Sequence, residues 1–512
     1  MYSSIITRTN NAFSASDKAL VVSLSALALF IALEILFSPF FALAIAGCIA
    51  LAVCSWHRPL WVVVAIVCVL PFEPFALKWV GEEFYILARY VSESAIYALA
   101  GVTFIKKWIR TERLSLGSLG LPLALFAGVA VVSAIANHND LFDSIMGLRQ
   151  IFRFILLYAI LAWIRPTERW ILNLMRVIFC IAVFESMLGI AQALAGGRLD
   201  AFLMPSAQKF VDSITLTLGT TGFWEEGQRV FATMGRYDQL GTFLAVAVLM
   251  AIGFLLEKSK KLSTRFLWLT LGTGLVALAL TYSRAAWFGF AIGLAVCGIA
   301  IKRNRHIAAG YIIAVMLAVG IYTTLGIAQQ YRIDVPSQSF AERLFESVSV
   351  QRLFGEYYAL GRTYFLLHVP RSVLEHAPLV GVGPGMFGAG AAAALHNTEK
   401  YAELNLPYGI NGTEGYIDNN WLSLLGEMGY VGLIAYIFMF IALARIALRV
   451  YRSSNSQHMR ALALGYCGAL AAFAFQGFFA TYFEMRTIAP YIWIFGGILA
   501  AEGMNYENHH RT

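Results

Sequence analysis

Five arginines at the ends of apolar runs are the residues best suited to bind an anion. Arg149 and Arg153 are four residues apart, so both guanidinium groups lie on one helical face and cannot neutralise each other. Arg284 stands in a short connection between two apolar runs, and Arg229 and Arg236 precede another. A guanidinium group stays charged at ordinary pH and binds phosphate or carboxylate oxygens in pairs. These arginines predict an anion site; structural pairing with nearby acids, or snorkelling to the membrane interface, is the alternative.

The polar segment 328–423 carries the remaining candidates. His376 precedes a glycine-rich stretch, residues 381–387, and Asp418 with Asn419 closes the segment. A loop of this length between apolar runs is usually functional. Asp418 is either part of a site or the N-cap of the following helix. The glycines require tight turns, so we expect a folded, partly helical loop lying over the outer mouth of the protein.

The composition predicts the environment that must position these residues. The chain is 59% hydrophobic and 13% charged, whereas a water-soluble protein carries about 25% charged residues. Runs of about twenty apolar residues recur, each long enough to cross a hydrocarbon core of roughly 30 Å. The net charge of +8 is not gathered on one element. We therefore expect a lipid bilayer, and no nucleic acid, as the partner of the surface.

The apolar runs predict an all-α polytopic membrane protein with about 12–14 transmembrane helices. They cover residues 19–37, 39–56, 59–79, 85–105, 117–137, 145–164, 170–194, 238–256, 265–282, 285–301, 307–327, 424–448, 460–481 and 487–503. Four regions follow from them. These are N-terminal transmembrane helices (1–194), a central transmembrane region with a first outer segment (195–327), the large outer loop (328–423) and C-terminal transmembrane helices (424–512).

The distribution of basic residues predicts the orientation. Alternate loops carry the lysines and arginines, while the outer connections carry Glu82, Glu83, Asp140 and Asp143. Basic loops remain on the cytoplasmic side. Both termini are therefore expected inside, with segments 195–237 and 328–423 outside. The inner basic residues are Lys106, Lys107, Arg110, Arg113, Arg165, Arg169, Lys258, Lys260, Lys261, Arg265, Lys302, Arg303, Arg305, Arg449, Arg452 and Arg460.

Two charged residues lie inside a predicted span. Arg89 and Glu93 are four residues apart on one helical face. A charge at the centre of a span costs roughly 2.5–3.5 kcal/mol on insertion scales, so retained charges pair or face a cavity. We expect Arg89 and Glu93 to form a structural ion pair.

The order of these features resembles the O-antigen ligase and polymerase superfamily of bacterial envelope glycan assembly. The resemblance covers roughly residues 225–450. It includes the arginine before an apolar run, Ser283-Arg284, and the glycine-rich stretch after His376. In the family's ligases the closing block has a histidine, then Asn, Ser or Gln, nine residues, Gly, two residues and a small or polar residue. Here Asn419, Gly429 and Gly432 keep that spacing, but Asp418 takes the histidine position, which favours the polymerase-like members.

The resemblance implies a GT-C-like membrane glycosyltransferase of the bacterial inner membrane with its site facing the periplasm. Its donor would be a polyprenyl-diphosphate-linked glycan, and its acceptor the hydroxyl group of a second glycan. Arg284 and Arg229 would bind the diphosphate, with Arg236, Arg149 and Arg153 as further candidates. The expected activity is polymerisation of oligosaccharide repeats, with a chain-length regulator and a flippase as possible partners.

The resemblance also bears on the remaining candidate residues. Asp418 would act as the base, or orient the acceptor hydroxyl group, and Asn419 would position it. His376 is a structural residue or an acceptor contact, and Tyr282 flanks the substrate site. The sequence contains no Asp-x-Asp, the usual metal ligand of enzymes that use nucleotide sugars. No metal or other cofactor is therefore expected.

Three alternatives remain open. A ligase or protein O-oligosaccharyltransferase would move the lipid-linked glycan to another acceptor. A polysaccharide transporter or flippase would also use many spans and buried charges, but such proteins often show paired repeats with interrupted helices, which this sequence does not. A non-catalytic assembly partner could keep the same fold.

Overall fold

The computed structural model describes residues 39–511 except 208, 212–213, 218–225, 329–339, 348, 350–353, 356, 389 and 409–415. The first predicted span, 19–37, lies outside the described residues. Helices dominate the rest, and two short strands, β1 Lys209–Val211 and β2 Ile214–Thr217, form an antiparallel hairpin. The predicted all-α polytopic fold is confirmed.

The α-helices are, in chain order, α1 Pro39–His57, α2 Pro59–Val69, α3 Glu73–Ala76, α4 Glu82–Ile109, α5 Gly120–Ala136, α6 Leu141–Phe152, α7 Ile155–Ile164, α8 Glu168–Leu194, α9 Asp200–Leu203, α10 Tyr237–Leu256, α11 Thr264–Leu280, α12 Arg284–Leu294, α13 Arg305–Ala328, α14 Phe340–Ser347, α15 Arg362–His376, α16 Ala391–Leu395, α17 Glu399–Glu403, α18 Asn420–Ser453, α19 Gln457–Gln476 and α20 Ala489–Arg511. Helix α12 continues as a π-helical stretch, Ala295–Ile301, and short 3-10 turns occur at Leu77–Trp79, Gly117–Leu119 and Tyr482–Glu484.

Seven described helices are long and apolar enough to cross a membrane, or nine if two bent pairs each count as one span. Other predicted spans are also helical but fail that test, since α4 carries several charged side chains and α11 has only 17 residues. Helix α10 lies at the centre of the bundle, with almost all of its side chains buried. A helix that is apolar on every side is expected in such a position.

Two predicted spans are broken rather than straight. The span expected at 59–79 bends by 69° between α2 and the α3 segment, and the one expected at 145–164 bends by 51° between α6 and α7. Pro71 and Pro74 explain the first bend, because proline cannot continue a helix without losing a backbone hydrogen bond. The second bend falls at Arg153, whose buried side chain reaches across to α4. Both breaks lie beside the cavity described below.

The outer loop has a small hydrophobic core of its own, as expected of a folded segment. Phe365 and Val369 of α15 pack with Phe387 and Tyr401 against Leu422 at the start of α18. The loop is therefore attached to the membrane helices by apolar contacts. The four-region division of the chain stays a prediction.

Candidate active site

A cavity of about 540 Å³ opens between the membrane helices and the outer loop. Its walls come from α4, α6, the segment before α10, the turn before α20, strand β2 and α16. A pocket of this size suits one small ligand or one end of a larger one. The charged side chains that line it are Glu73, Arg89, Arg149, Arg153, Arg236, Asp418, Glu484 and Arg486. Of the predicted site residues, Arg149, Arg153, Arg236 and Asp418 meet here.

One wall of the cavity is built from arginines held on a buried carboxylate, Glu93. Arg149 Nε and Arg153 Nη1 each lie 3.4 Å from this carboxylate, and Arg486 Nη2 lies 3.0 Å from it. Arg486 also pairs with Glu73 at 3.0 Å. We call Arg149, Arg153 and Arg486 the arginine wall.

The predicted ion pair between Arg89 and Glu93 is wrong. Glu93 binds the arginine wall instead, and Arg89 forms no ion pair within the part of the chain that the structure describes. Its guanidinium lines the cavity, while its backbone carbonyl accepts a hydrogen bond from Arg486. Helical spacing alone suggested the pair, but three arginines from other elements compete for the same carboxylate.

Asp418 lines the same cavity. Its side chain is 40% exposed and forms an ion pair with Arg362 at 3.5 Å. The positive charge of Arg236 also acts on the Asp418 carboxylate. Arg236 itself is held by Asp238, to which its Nε and Nη2 donate hydrogen bonds of 3.0 and 3.1 Å. Although part of the side chain is exposed, the surrounding protein removes hydration from its carboxylate, and this desolvation raises the pKa of Asp418 above its ordinary value, while Arg362 and Arg236 oppose the shift. Asp418 is thus a more basic carboxylate than a solvated aspartate.

Asn419, not Asp418, caps the following helix. Its side-chain oxygen accepts from the Leu422 N–H at 3.0 Å, and its amide donates to the Phe478 carbonyl at 3.0 Å. The alternative of Asp418 as N-cap is therefore wrong. Since the cap fixes the backbone at Asn419, it also fixes where the preceding Asp418 stands.

The spacing from Asn419 to Gly429 has a structural explanation. The first part of α18 is interrupted at Gly429, whose φ of 65° is left-handed. The interruption removes helical hydrogen-bond donors from the carbonyl groups just before it. The glycine-rich stretch replaces these donors: Val382 N–H donates to the Gly426 carbonyl at 2.9 Å, and Gly383 N–H donates to the Glu427 carbonyl at 3.0 Å. The motif therefore seats the outer loop on a broken membrane helix.

His376 lies at the end of α15, and its Nδ1 is 2.9 Å from the Ser372 carbonyl of the same helix. It is not among the residues that line the cavity. This position agrees with the structural role considered for it from the sequence.

The segment that carries Arg229 and Arg236 is held by polar groups of α8. Gln192 accepts from the N–H groups of Phe231 and Ala232 at 3.0 Å each, and Glu185 accepts from the Thr233 N–H at 3.2 Å. The sequence signal for this attachment was the presence of Glu185 and Gln192 in the second half of a predicted span.

Arg284 and Arg229 lie in a second cationic group, outside the cavity lining. Arg284 pairs with the buried Glu346 of α14 at 2.9 Å, and Arg229 stacks on Tyr237 at 4.3 Å. Burial, together with the charges of Arg229 and Arg284, lowers the pKa of the neighbouring Arg343 to about 10. Arg284 therefore does not line the cavity that Asp418 lines. Glu346, from a helix that the sequence alone could not place, gives Arg284 a partner elsewhere.

Tyr282 belongs to the same side as Arg284. Its ring centroid lies 6.1 Å from that of Trp287, and it is not among the cavity residues. Its predicted contact with substrate stays a prediction.

The sequence analysis did not consider two charged residues of the turn before α20 that line the cavity. Glu484 and Arg486 stand in the turn between the last two apolar runs. Burial raises the pKa of Glu484 to about 7, while a hydrogen bond from Gln150 and the charge of Arg153 oppose that shift. The available signal was an arginine in a short outer turn, where basic residues are not expected.

The cavity therefore combines fixed positive charge with carboxyl groups of raised pKa. Such a site can bind an anionic group and accept a proton beside it.

A comparison with protein families matches residues 267–437 to the family described as O-antigen ligase. The matched region includes Arg284, the glycine-rich stretch, Asp418 and the interrupted start of α18. Comparison with curated proteins gave no match. The match implies a membrane enzyme of glycosyl transfer that acts on a lipid-linked glycan donor and a glycan acceptor.

Proposed function

Because the chain belongs, through residues 267–437, to the O-antigen ligase and polymerase superfamily, we propose that it is a polymerase. It would join polyprenyl-diphosphate-linked oligosaccharide repeats at the periplasmic face of a bacterial inner membrane, with both termini cytoplasmic. The observation that carries the proposal is that the arginine wall and Asp418 line one and the same cavity.

The reaction breaks the bond between the anomeric carbon of the donor and an oxygen of its diphosphate. The electron pair of that bond leaves with the diphosphate, which becomes more negative. Arg149, Arg153 and Arg486 are fixed before the reaction, so they can bind this charge without rearranging. Preorganised charge of this kind is usually a large part of catalysis.

Asp418 would accept the proton of the acceptor hydroxyl group while its oxygen bonds to the anomeric carbon. The raised pKa of Asp418 favours this role, because a base works best when its pKa approaches the working pH. Arg236 faces the same carboxylate and would orient it, and the Asn419 cap holds the backbone beside it.

Arg284 and Arg229 keep a proposed role in binding an anionic part of the lipid-linked substrate. For Arg284 this role requires exchange of Glu346 for substrate, since the two side chains are already paired. We therefore rank both arginines below the arginine wall. Tyr282 would lie beside them.

A ligase is the second candidate, and the description of the matched family supports it. The polymerase is preferred because the histidine position of the ligase pattern is Asp418 here. A chain-length regulator and a flippase are proposed partners of the polymerase.

The test measures glycan transfer from a lipid-linked donor by the purified full chain. Asp418→Asn removes the proton acceptor with little change of volume, so the rate should fall about 10²–10⁴-fold. Arg149→Ala should lower activity more than Arg284→Ala if the arginine wall binds the diphosphate.

The matched control is Glu375→Gln, which changes an exposed carboxylate of α15 that pairs only with Arg371 among the described residues. It should transfer glycan at the wild-type rate. Full activity of a folded Asp418→Asn variant would remove Asp418 as the base.

A further inference from the structure

Glu93 does not line the cavity, but its carboxylate pairs with three residues that do, the arginines of the arginine wall. Its side chain is only 3% exposed, and it comes from α4, whereas Arg149 and Arg153 come from α6 and its end. Arg486 comes from the turn before α20. One carboxylate therefore joins three separate parts of the chain beside the proposed site.

The charges around Glu93 do not balance. Four arginines (Arg89 and the arginine wall) stand beside Glu73 and Glu93, and the Glu484 carboxyl group also acts on Arg153, so at least one positive charge remains in excess. Arg153 is 4% exposed, and its Nε has no hydrogen-bond partner within the described residues. Buried charge that is only partly neutralised is costly unless a ligand completes it. The excess faces the cavity, because all four arginines line it.

Contacts with an aromatic ring and with a backbone carbonyl also hold the arginines in place. Tyr90 lies against both Arg149 and Arg486, with ring distances of 5.3 and 5.5 Å. Arg153 Nη2 donates to the Glu484 carbonyl at 2.6 Å. The Tyr97 hydroxyl donates to Glu93 at 2.8 Å and so fixes the carboxylate. The guanidinium groups therefore cannot move independently of Glu93.

We propose that Glu93 is a positioning residue that spaces the arginine wall so that the cavity prefers a diphosphate to a monophosphate. A diphosphate presents two adjacent anionic groups, which fixed guanidinium groups can bind at once. A monophosphate can use only part of the wall. The inference rests on the proposed function, which makes a lipid diphosphate the donor, and it adds the residue responsible for choosing it.

The experiment titrates the detergent-solubilised full chain with farnesyl diphosphate and with farnesyl phosphate by calorimetry, and compares the two affinities. In Glu93→Gln the three arginines lose their common partner and repel one another. The preference for diphosphate should fall about 10- to 100-fold, which corresponds to the loss of one charge-assisted hydrogen bond. The affinity for the monophosphate should be kept or increased, since the variant carries one negative charge fewer. A general loss of folding would instead lower the affinity for both ligands.

Glu257→Gln is the matched control. Glu257 is also a buried carboxylate that contacts two cations, Lys302 and Arg460, but these cations do not line the cavity, whereas the partners of Glu93 do. Its variant should keep the wild-type preference. If Glu93→Gln fails to fold, Tyr97→Phe removes one hydrogen bond to Glu93 and should reduce the preference by a smaller factor.

An unchanged preference for diphosphate in Glu93→Gln would overturn the proposal. If that variant does not fold, an unchanged preference in Tyr97→Phe would do so. An equal loss of the preference in Glu257→Gln would also overturn it. The outcome is separable from the proposed function. A wild-type protein that prefers diphosphate through Glu93 but transfers no glycan would keep this inference and reject the polymerase. A transfer-active protein without the preference would do the opposite.

Discussion

At the scale of residues, the cavity places two carboxyl groups in different surroundings. Asp418 faces Arg362 and Arg236 and is partly exposed. Glu484 is 9% exposed, and its Oε2 has no hydrogen-bond partner within the described residues. The first is suited to exchange a proton with a ligand, whereas the second is enclosed by protein. Their titrations should therefore have different consequences.

Glu484 should make the folded protein less stable as the pH rises. Its pKa is about 7 in the folded chain against an ordinary 4.5, so the folded state favours the neutral carboxyl group. That contribution to stability is complete below pH 4.5 and is lost as the pH rises through about 7. Glu484→Gln cannot ionise, so above pH 7 it should gain up to about 3 kcal/mol relative to wild type.

Thermal unfolding in detergent from pH 4.5 to 8.5 measures this difference. Glu375→Gln serves as the control, since its exposed carboxylate has a lowered rather than a raised pKa through its hydrogen bond and ion pair with Arg371. Parallel pH curves for wild type and Glu484→Gln would contradict the prediction.

At the scale of elements, the glycine-rich stretch is an attachment between the outer loop and the membrane helices. Gly385 has a φ of 77°, and its N–H donates to Glu427 of α18 at 2.8 Å. A Cβ atom there would lie 2.8 Å from the Asp143 carbonyl and 3.1 Å from Gly147 Cα, both of α6. Only glycine fits this approach, which places α6 and its arginines against the loop that leads to Asp418.

Gly385→Ala should push the glycine-rich stretch of the outer loop away from α6. The left-handed backbone alone costs about 1–2 kcal/mol for alanine, and the backbone contacts add to it. We expect a lower melting temperature and a loss of glycan transfer, measured on the purified protein.

Gly101→Ala is the comparison, because a Cβ atom at that helical glycine meets nothing within 4 Å. It should be neutral or slightly stabilising. If both variants behave alike, the close approach at Gly385 does not matter for the attachment.

At the scale of the whole molecule, the structure separates two cationic groups. The arginine wall belongs to the cavity with Asp418, and the group around Arg284 belongs to α12, α14 and the segment before α10. The outer loop contributes to both, through Asp418 on one side and Glu346 on the other. Loop and helices therefore form one structural unit.

The intact cell distinguishes the two candidate functions of this unit. If the chain is a polymerase, its loss should leave single repeats on the lipid carrier, because nothing then joins the repeats that reach the outer face of the membrane. Extraction of lipid-linked glycans from a strain without the chain, followed by mass spectrometry, measures their length. Expression of the Asp418→Asn variant in that strain should not restore long glycan. Long polymer that is not attached to its final acceptor would instead indicate a ligase.

The sequence by itself determined whatever depends on neighbours along the chain. Apolar runs predicted the membrane helices, and four-residue spacing placed Arg149 and Arg153 on one face, because helical geometry is local. The resemblance around Arg284 and Asn419 predicted the family.

Only the tertiary structure decided which charged groups meet. Glu93 is 60 residues from Arg153 and 393 from Arg486, so no helical period relates them. Local spacing therefore paired Glu93 with Arg89, and it could not place Glu346 beside Arg284. A buried charge takes the partner that helix packing brings within reach, and that packing depends on the apolar contacts of the entire chain.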